Sequence, residues 1–79
     1  MNATRRKALS EIFEQLDDLK NQLETLATEE RDQFDNMSEK RQDSDKGRAV
    51  DEAARYLEDA VGDLSSVLDN IENATPTED

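Results

Sequence analysis

The sequence predicts an all-α fold: an antiparallel hairpin of two long helices with coiled-coil-like packing. Two stretches carry apolar residues spaced alternately three and four positions apart, and a polar segment separates them. Charged residues make up 39% of the 79 residues and apolar residues 33%. This composition suits one thin seam between helices better than a globular core, so we expect a single domain.

The first helix is predicted over residues 5–35, after an N-terminal cap segment of residues 1–4. Thr4 is the expected N-cap, with Asn2 as the alternative. In heptad notation, position a holds Leu9, Leu16 and Leu23, and position d holds Ile12, Leu19 and Leu26. Phe13, at position e, widens this apolar stripe at one end.

The connection is predicted over residues 36–44, with a partial turn near Ser38. Ser44 is the expected N-cap of a second helix over residues 45–74. The apolar residues of this helix are Val50, Leu57, Leu64 and Ile71 at a, Ala53, Ala60, Val67 and Ala74 at d, and Ala54, Val61 and Leu68 at e. Pro76 follows the helix, and residues 75–79 are predicted to be a disordered tail.

Two helices of similar length with a short connection favour an antiparallel hairpin in which paired residue numbers sum to about 80. The predicted pairs are Leu9 with Ile71, Leu16 with Leu64, Leu23 with Leu57, Leu19 with Ala60, and Leu26 with Ala53. A lone hairpin leaves one side of every seam uncovered. We therefore expect a homodimer that forms a four-helix bundle, or docking on a protein partner.

The composition argues against catalysis. The chain has no cysteine and no histidine, which removes thiol nucleophiles, the usual zinc ligands and the commonest general base. The segment from Asp43 to Gly47 has some likeness to a calcium-binding loop, but the twelfth position holds Ala54 where that loop needs Glu. We expect no enzyme activity, no catalytic residues, no cofactor and no metal site.

The charge of the chain restricts its partners. A net charge of −11 opposes direct binding to nucleic acid or to an anionic membrane, and any charged partner is expected to be basic. DNA mimicry by the acidic faces stays open, although their charge is sparser than that of a duplex. No apolar run is long enough to cross a membrane and no signal sequence is evident, so a cytoplasmic protein is expected.

Six residues are candidates for partner binding. Phe34 and Met37 form an apolar pair in the polar segment at the hairpin tip, where the alternative is that they close the end of the bundle. Tyr56, at position g, borders the seam and is alternatively a packing residue. The remaining candidates are the e positions that broaden the second helix: Ala54, Val61 and Leu68.

One segment carries a resemblance to a known group. It reads Glu29-Glu30, then Phe34-Asp35-Asn36-Met37-Ser38-Glu39, then Gln42-Asp43-Ser44 and Gly47, between two amphipathic helices. This layout resembles small acidic helical-hairpin proteins of unknown function from phage and prophage genomes. A proline commonly occupies the position of Ser38 in that group, and this chain departs from the pattern there. The resemblance implies a phage setting in the host cytoplasm and no particular activity.

These observations lead to two functional hypotheses. The first is a non-enzymatic, acidic protein-interaction module that modulates or inhibits a host protein. The alternative is a structural homo-oligomeric coiled-coil scaffold with no catalytic or ligand-binding role.

Overall fold

A computed structural model describes residues 1–75, and this part of the chain contains three helices. They are α1 (Ala3–Asp35), α2 (Glu39–Gln42) and α3 (Asp45–Ala74). The two long helices pack against each other, and the short α2 packs on the start of α3. The result is a narrow rod with principal extents of 59 × 15 × 14 Å. The all-helical hairpin expected from the sequence is confirmed for residues 1–75.

Helix α1 begins earlier than predicted. Asn2 is its N-cap, because the Asn2 side-chain oxygen accepts a hydrogen bond from the Arg5 backbone N–H at 2.8 Å. Thr4, the preferred candidate from the sequence, lies inside the helix. Asparagine is the stronger N-cap of the two, and both Ala3 and Thr4 tolerate helical geometry.

The connection contains a helical turn between two serine caps. The predicted partial turn near Ser38 is the four-residue helix α2, whose Arg41 N–H donates to the Ser38 hydroxyl. Ser44 caps α3 by accepting from the Gly47 N–H at 3.2 Å, so α3 begins at the predicted residue. The Gln42 side-chain amide donates to the Phe34 carbonyl at 3.0 Å, which ties the connection to the last turn of α1.

Helix α3 ends at the predicted residue. Thr75 is its C-cap, and the Thr75 N–H donates to the carbonyls of Ile71 and Glu72. Thr75 is therefore part of the helix terminus and not of a tail. The disorder predicted for residues 76–79 lies outside the described residues.

The seam between the long helices uses heptad positions a and e, whereas positions a and d were predicted. The apolar residues that face the opposite helix and are buried or half-buried are Leu9, Phe13, Leu16, Leu23, Ala27 and Phe34 on α1, and Val50, Ala54, Leu57, Val61, Leu64, Leu68 and Ile71 on α3. Both helices keep the alternating spacing of three and four residues, but in a different phase. Leu19 and Leu26 are each 51% exposed, so the predicted burial of these two leucines is wrong.

The side chains of α3 explain this choice of phase. Its e positions hold Val61 and Leu68, whereas the d positions at the same levels hold Ala60 and Val67. Burial is favourable by about 25 cal/mol per Å² of apolar surface, so the larger e side chains gain more from facing α1. A helix turns by about 100° per residue, so it cannot bury both sets against one partner.

The antiparallel register lies near the predicted one. Leu9 and Ile71, whose numbers sum to 80, border the same recess at the open end of the hairpin. Nearer the connection, Arg31 contacts both Asp51 and Glu58, and these two pairs of residue numbers sum to 82 and 89.

Gly47→Ala is predicted to destabilise the hairpin. A methyl group on Gly47 would overlap the Arg41 carbonyl oxygen and lie 2.6 Å from that of Gln42. Backbone atoms must then shift, and we expect the free energy of unfolding to fall by about 1–3 kcal/mol in chemical denaturation.

Gly62→Ala is the matched control for this substitution. Gly62 lies inside α3 with open space around its α-carbon. Alanine there should raise the free energy of unfolding by about 0.5–1 kcal/mol, because glycine is the poorer helix former. Equal effects of the two substitutions would contradict the close approach of α2 to α3.

Candidate interaction surface

The hairpin has two long sides that differ in chemistry. An antiparallel helix pair has an approximate two-fold axis perpendicular to both helices, so the same heptad position on each helix faces the same side. Arg31 and Asp51 are both at position b, and they are in contact across the seam. The d positions of both helices therefore lie together on the opposite side.

The d positions form an apolar strip that we call the outer stripe. Its members are Ile12, Leu19 and Leu26 on α1, and Ala53, Ala60 and Val67 on α3. The large members Ile12 and Val67 are 46% and 42% exposed, and the two leucines are more exposed still. Half-exposed leucine and isoleucine in a continuous row are typical of a surface that binds another protein.

Charged residues are sparse on the side of the hairpin that carries the outer stripe. Positions d and g, from Arg5 to Gln33 on α1 and from Lys46 to Ala74 on α3, comprise 18 residues, and 4 of them are charged. These four are Arg5, Glu29, Lys46 and Asp63, and their charges cancel. We call this side the neutral face.

The opposite side, at positions b and f, is strongly charged. It also comprises 18 helical residues, of which 8 are acidic and 4 are basic. We call it the ionic face. Position c, which faces away from the opposite helix and neighbours position d, adds six acidic residues and no basic one. The acidic excess of the helices therefore lies outside the neutral face.

An ion-pair cluster on the ionic face joins the two long helices. The Arg31 guanidinium of α1 donates to Asp51 at 2.8 Å and to both carboxylate oxygens of Glu58, at 3.0 and 3.2 Å. Arg55 donates to the other oxygen of Asp51 at 2.7 Å. The Arg31 guanidinium also lies 5.6 Å from the centre of the Phe34 ring, within reach of a cation–π interaction.

This cluster shifts the protonation of its carboxylates. Hydrogen bonds from Arg31, and then from Arg55, hold the pKa of Asp51 below its usual range. The hydrogen bond from Arg31 likewise lowers the pKa of Glu58. Charge-assisted, two-pronged contacts of this kind also fix geometry, so the cluster sets the register of α1 against α3.

The six residues selected from the sequence fall into three groups. Ala54 and Leu68 are 0% and 6% exposed inside the seam, and Val61 is half-buried beside them, so these three do not form a free surface in the folded hairpin. Phe34 and Met37 are half-buried at the tip, where Phe34 also contacts Arg31. Tyr56 is 68% exposed at position g, on the neutral face beside the outer stripe.

The large residues of the outer stripe were missed as candidates, because the leucine ridge of α1 was assigned to the interior. One signal in the sequence points to them. Both phases of the heptad pattern can be written on α3, and the phase through Val61 and Leu68 buries larger side chains than the phase through Ala53 and Ala60. Choosing that phase places Leu19 and Leu26 outside the seam.

The structure also bears on metal sites and membrane spans. Among residues 1–75, no group of three or more acidic side chains is arranged to hold a metal ion. Neither long helix within this range has an apolar stretch sufficient to cross a membrane. In comparisons with protein-family models, curated proteins and solved structures, no match to the chain was found.

Arg31→Met is predicted to lower the melting temperature at pH 7, with a difference from the wild type that shrinks in acid. The pKa values of Asp51 and Glu58 are lowered in the folded state, so their contribution is present at neutral pH. It is lost in acid, as the pH falls through their lowered folded-state pKa values. Thermal denaturation followed by circular dichroism from pH 7 to pH 2 measures this.

Arg55→Met is the control for this prediction. Arg55 is 71% exposed and pairs with Asp51 inside the same helix, so the loss in melting temperature should be smaller. A difference between Arg31→Met and the wild type that stays constant in acid would mean that Arg31 stabilises the hairpin by packing on Phe34 and not through its ion pairs.

Proposed function

We propose that this chain is a non-enzymatic protein-interaction module whose binding surface is the outer stripe. The carrying observation is the exposure of Ile12, Leu19 and Leu26 in a row along a helix whose other large apolar residues are half-buried. Each exposed leucine offers on the order of 1 kcal/mol when its remaining surface is buried. A row of them beside Val67 can therefore support specific binding.

Apolar and charged residues of this surface contact different parts of a partner. A partner that covers the outer stripe contributes apolar side chains, and basic groups at its edges meet acidic residues at position c, such as Glu11, Asp18 and Asp59, which neighbour the stripe. Tyr56 lies at the border of the stripe and supplies an aromatic anchor with a polar tip.

The resemblance to small acidic phage and prophage proteins suggests the setting. In that setting the module acts in the host cytoplasm and modulates or inhibits a host protein. Nucleic acid and membrane are not its direct partners in this proposal, because the chain carries 21 acidic and 10 basic residues.

A second candidate function is a structural homo-oligomeric scaffold. It is favoured by the neutral face, which is free of the acidic excess that would separate two copies. In this case a homodimer forms the four-helix bundle, and the stripe is covered by its own equivalent.

Leu26→Glu is predicted to abolish stripe-dependent binding, whereas Thr25→Glu is predicted to preserve it. The two residues are neighbours on α1 and each substitution adds one negative charge, but Thr25 faces away from the outer stripe. Affinity capture with the wild type and both variants, followed by mass spectrometry and light scattering, measures the difference. Circular dichroism checks that both variants keep their helix content.

Two outcomes would contradict this assignment. Capture of the same proteins by all three forms would place the binding surface elsewhere. The double variant Phe34→Ala/Met37→Ala tests the tip: loss of a partner without a lower melting temperature would make the tip the binding surface.

A further inference from the structure

We propose that the outer stripe is covered by a second copy of this chain, with α1 of each copy packed on α3 of the other and both connections at the same end of the bundle. This inference rests on the second candidate function, the homo-oligomer, and states how its two copies pack. The charge, area and side-chain sizes of the neutral face support it.

Charge favours a second copy on this face in particular. Two chains of net charge −11 repel each other when their ionic faces meet. The neutral face has four charged residues among 18, and their sum is zero. A second copy therefore approaches through the neutral face with little electrostatic penalty, and the acidic groups stay in water.

The area of this face is sufficient for a stable dimer. The face extends about 40 Å along α1 from Arg5 to Gln33, at about 1.5 Å per residue. The hairpin is about 15 Å wide. Covering it removes about 600 Å² from each copy, or about 1,200 Å² in total, which reaches the range of specific protein interfaces.

Two symmetric arrangements bring two neutral faces together. The two-fold axis runs either along the helices, which places α1 over α3 of the second copy, or across them, which places α1 over α1. In the first arrangement both connections lie at the same end. In the second they lie at opposite ends.

Side-chain size selects the first arrangement. The register predicted from the sequence places Leu19 at the level of Ala60, and Leu26 at the level of Ala53. With the axis along the helices, each leucine lies over an alanine of the second copy, so large and small side chains interlock. With the axis across the helices, leucine ridge meets leucine ridge, and a gap remains between the two alanine rows.

The first test is the mass in solution. Light scattering at micromolar to high micromolar concentration should give about 18 kDa for the wild type, twice the 9.0 kDa of one chain. Thr25→Glu should behave as the wild type. Leu26→Glu should raise the dissociation constant at least about 100-fold, because each dimer loses two buried leucines. A wild-type monomer at high micromolar concentration would overturn the inference.

The second test measures the arrangement. The chain has no cysteine, so Glu39→Cys places one spin label in α2 at the connection. Pulsed electron paramagnetic resonance should give roughly 20–30 Å between the labels, about the width of two helices with their side chains. A distance near the 59 Å length of the hairpin would overturn the proposed arrangement.

A label at mid-hairpin is the control for this measurement. Asn21 is exposed near the middle of α1. In the Asn21→Cys variant, the labels on the two copies should therefore be a short distance apart in either arrangement of the dimer. The two proposals fail separately. A monomer whose binding to another protein is lost in Leu26→Glu and kept in Thr25→Glu overturns self-association and supports the proposed function of the stripe.

Discussion

The structure depends on the fact that each long helix can present only one side to the other. Two phases of the same spacing compete for that side, and the a positions, with Leu16 and Leu64, are common to both. The decision is made on α3, where Val61 and Leu68 offer more apolar surface than the alanines of the other phase. When α3 buries these two side chains, α1 packs through the same heptad positions, because an approximate two-fold axis relates the two helices.

The outer stripe is a consequence of this choice and not of a separate binding motif. Helix α1 carries large apolar side chains for both phases, so the phase that is not used against α3 stays exposed, with Leu19 and Leu26 as its largest members. Charged residues follow the same pattern: they make up 12 of the 18 residues on the ionic face and 4 of the 18 on the neutral face. A surface that is apolar, neutral and continuous over most of the rod is suited to protein contact, and its alternation of leucine and alanine suits a second copy.

A few residues near the connection set the register of α1 against α3 and the point at which the helices end. Arg31 links α1 to two carboxylates of α3, and its guanidinium also covers Phe34. Gly47 lets the carbonyls at the end of α2 approach α3 closely. Such short-range constraints matter in a coiled-coil-like pair, because apolar seams alone tolerate sliding by a heptad. The acidic partners of Arg31 also make this end of the hairpin sensitive to low pH.

The sequence by itself determined the helices. Local signals such as the serine caps, the polar connection and Pro76 are read from neighbouring residues, so the bounds of α3 and the antiparallel direction of the hairpin were predictable. Phase was decided only by the tertiary structure, because it depends on which of two apolar sets gains more when both helices meet. For this reason Ala54 and Leu68 were assigned to a free surface and are buried. Leu19 and Leu26, assigned to the interior, are left exposed for the same reason.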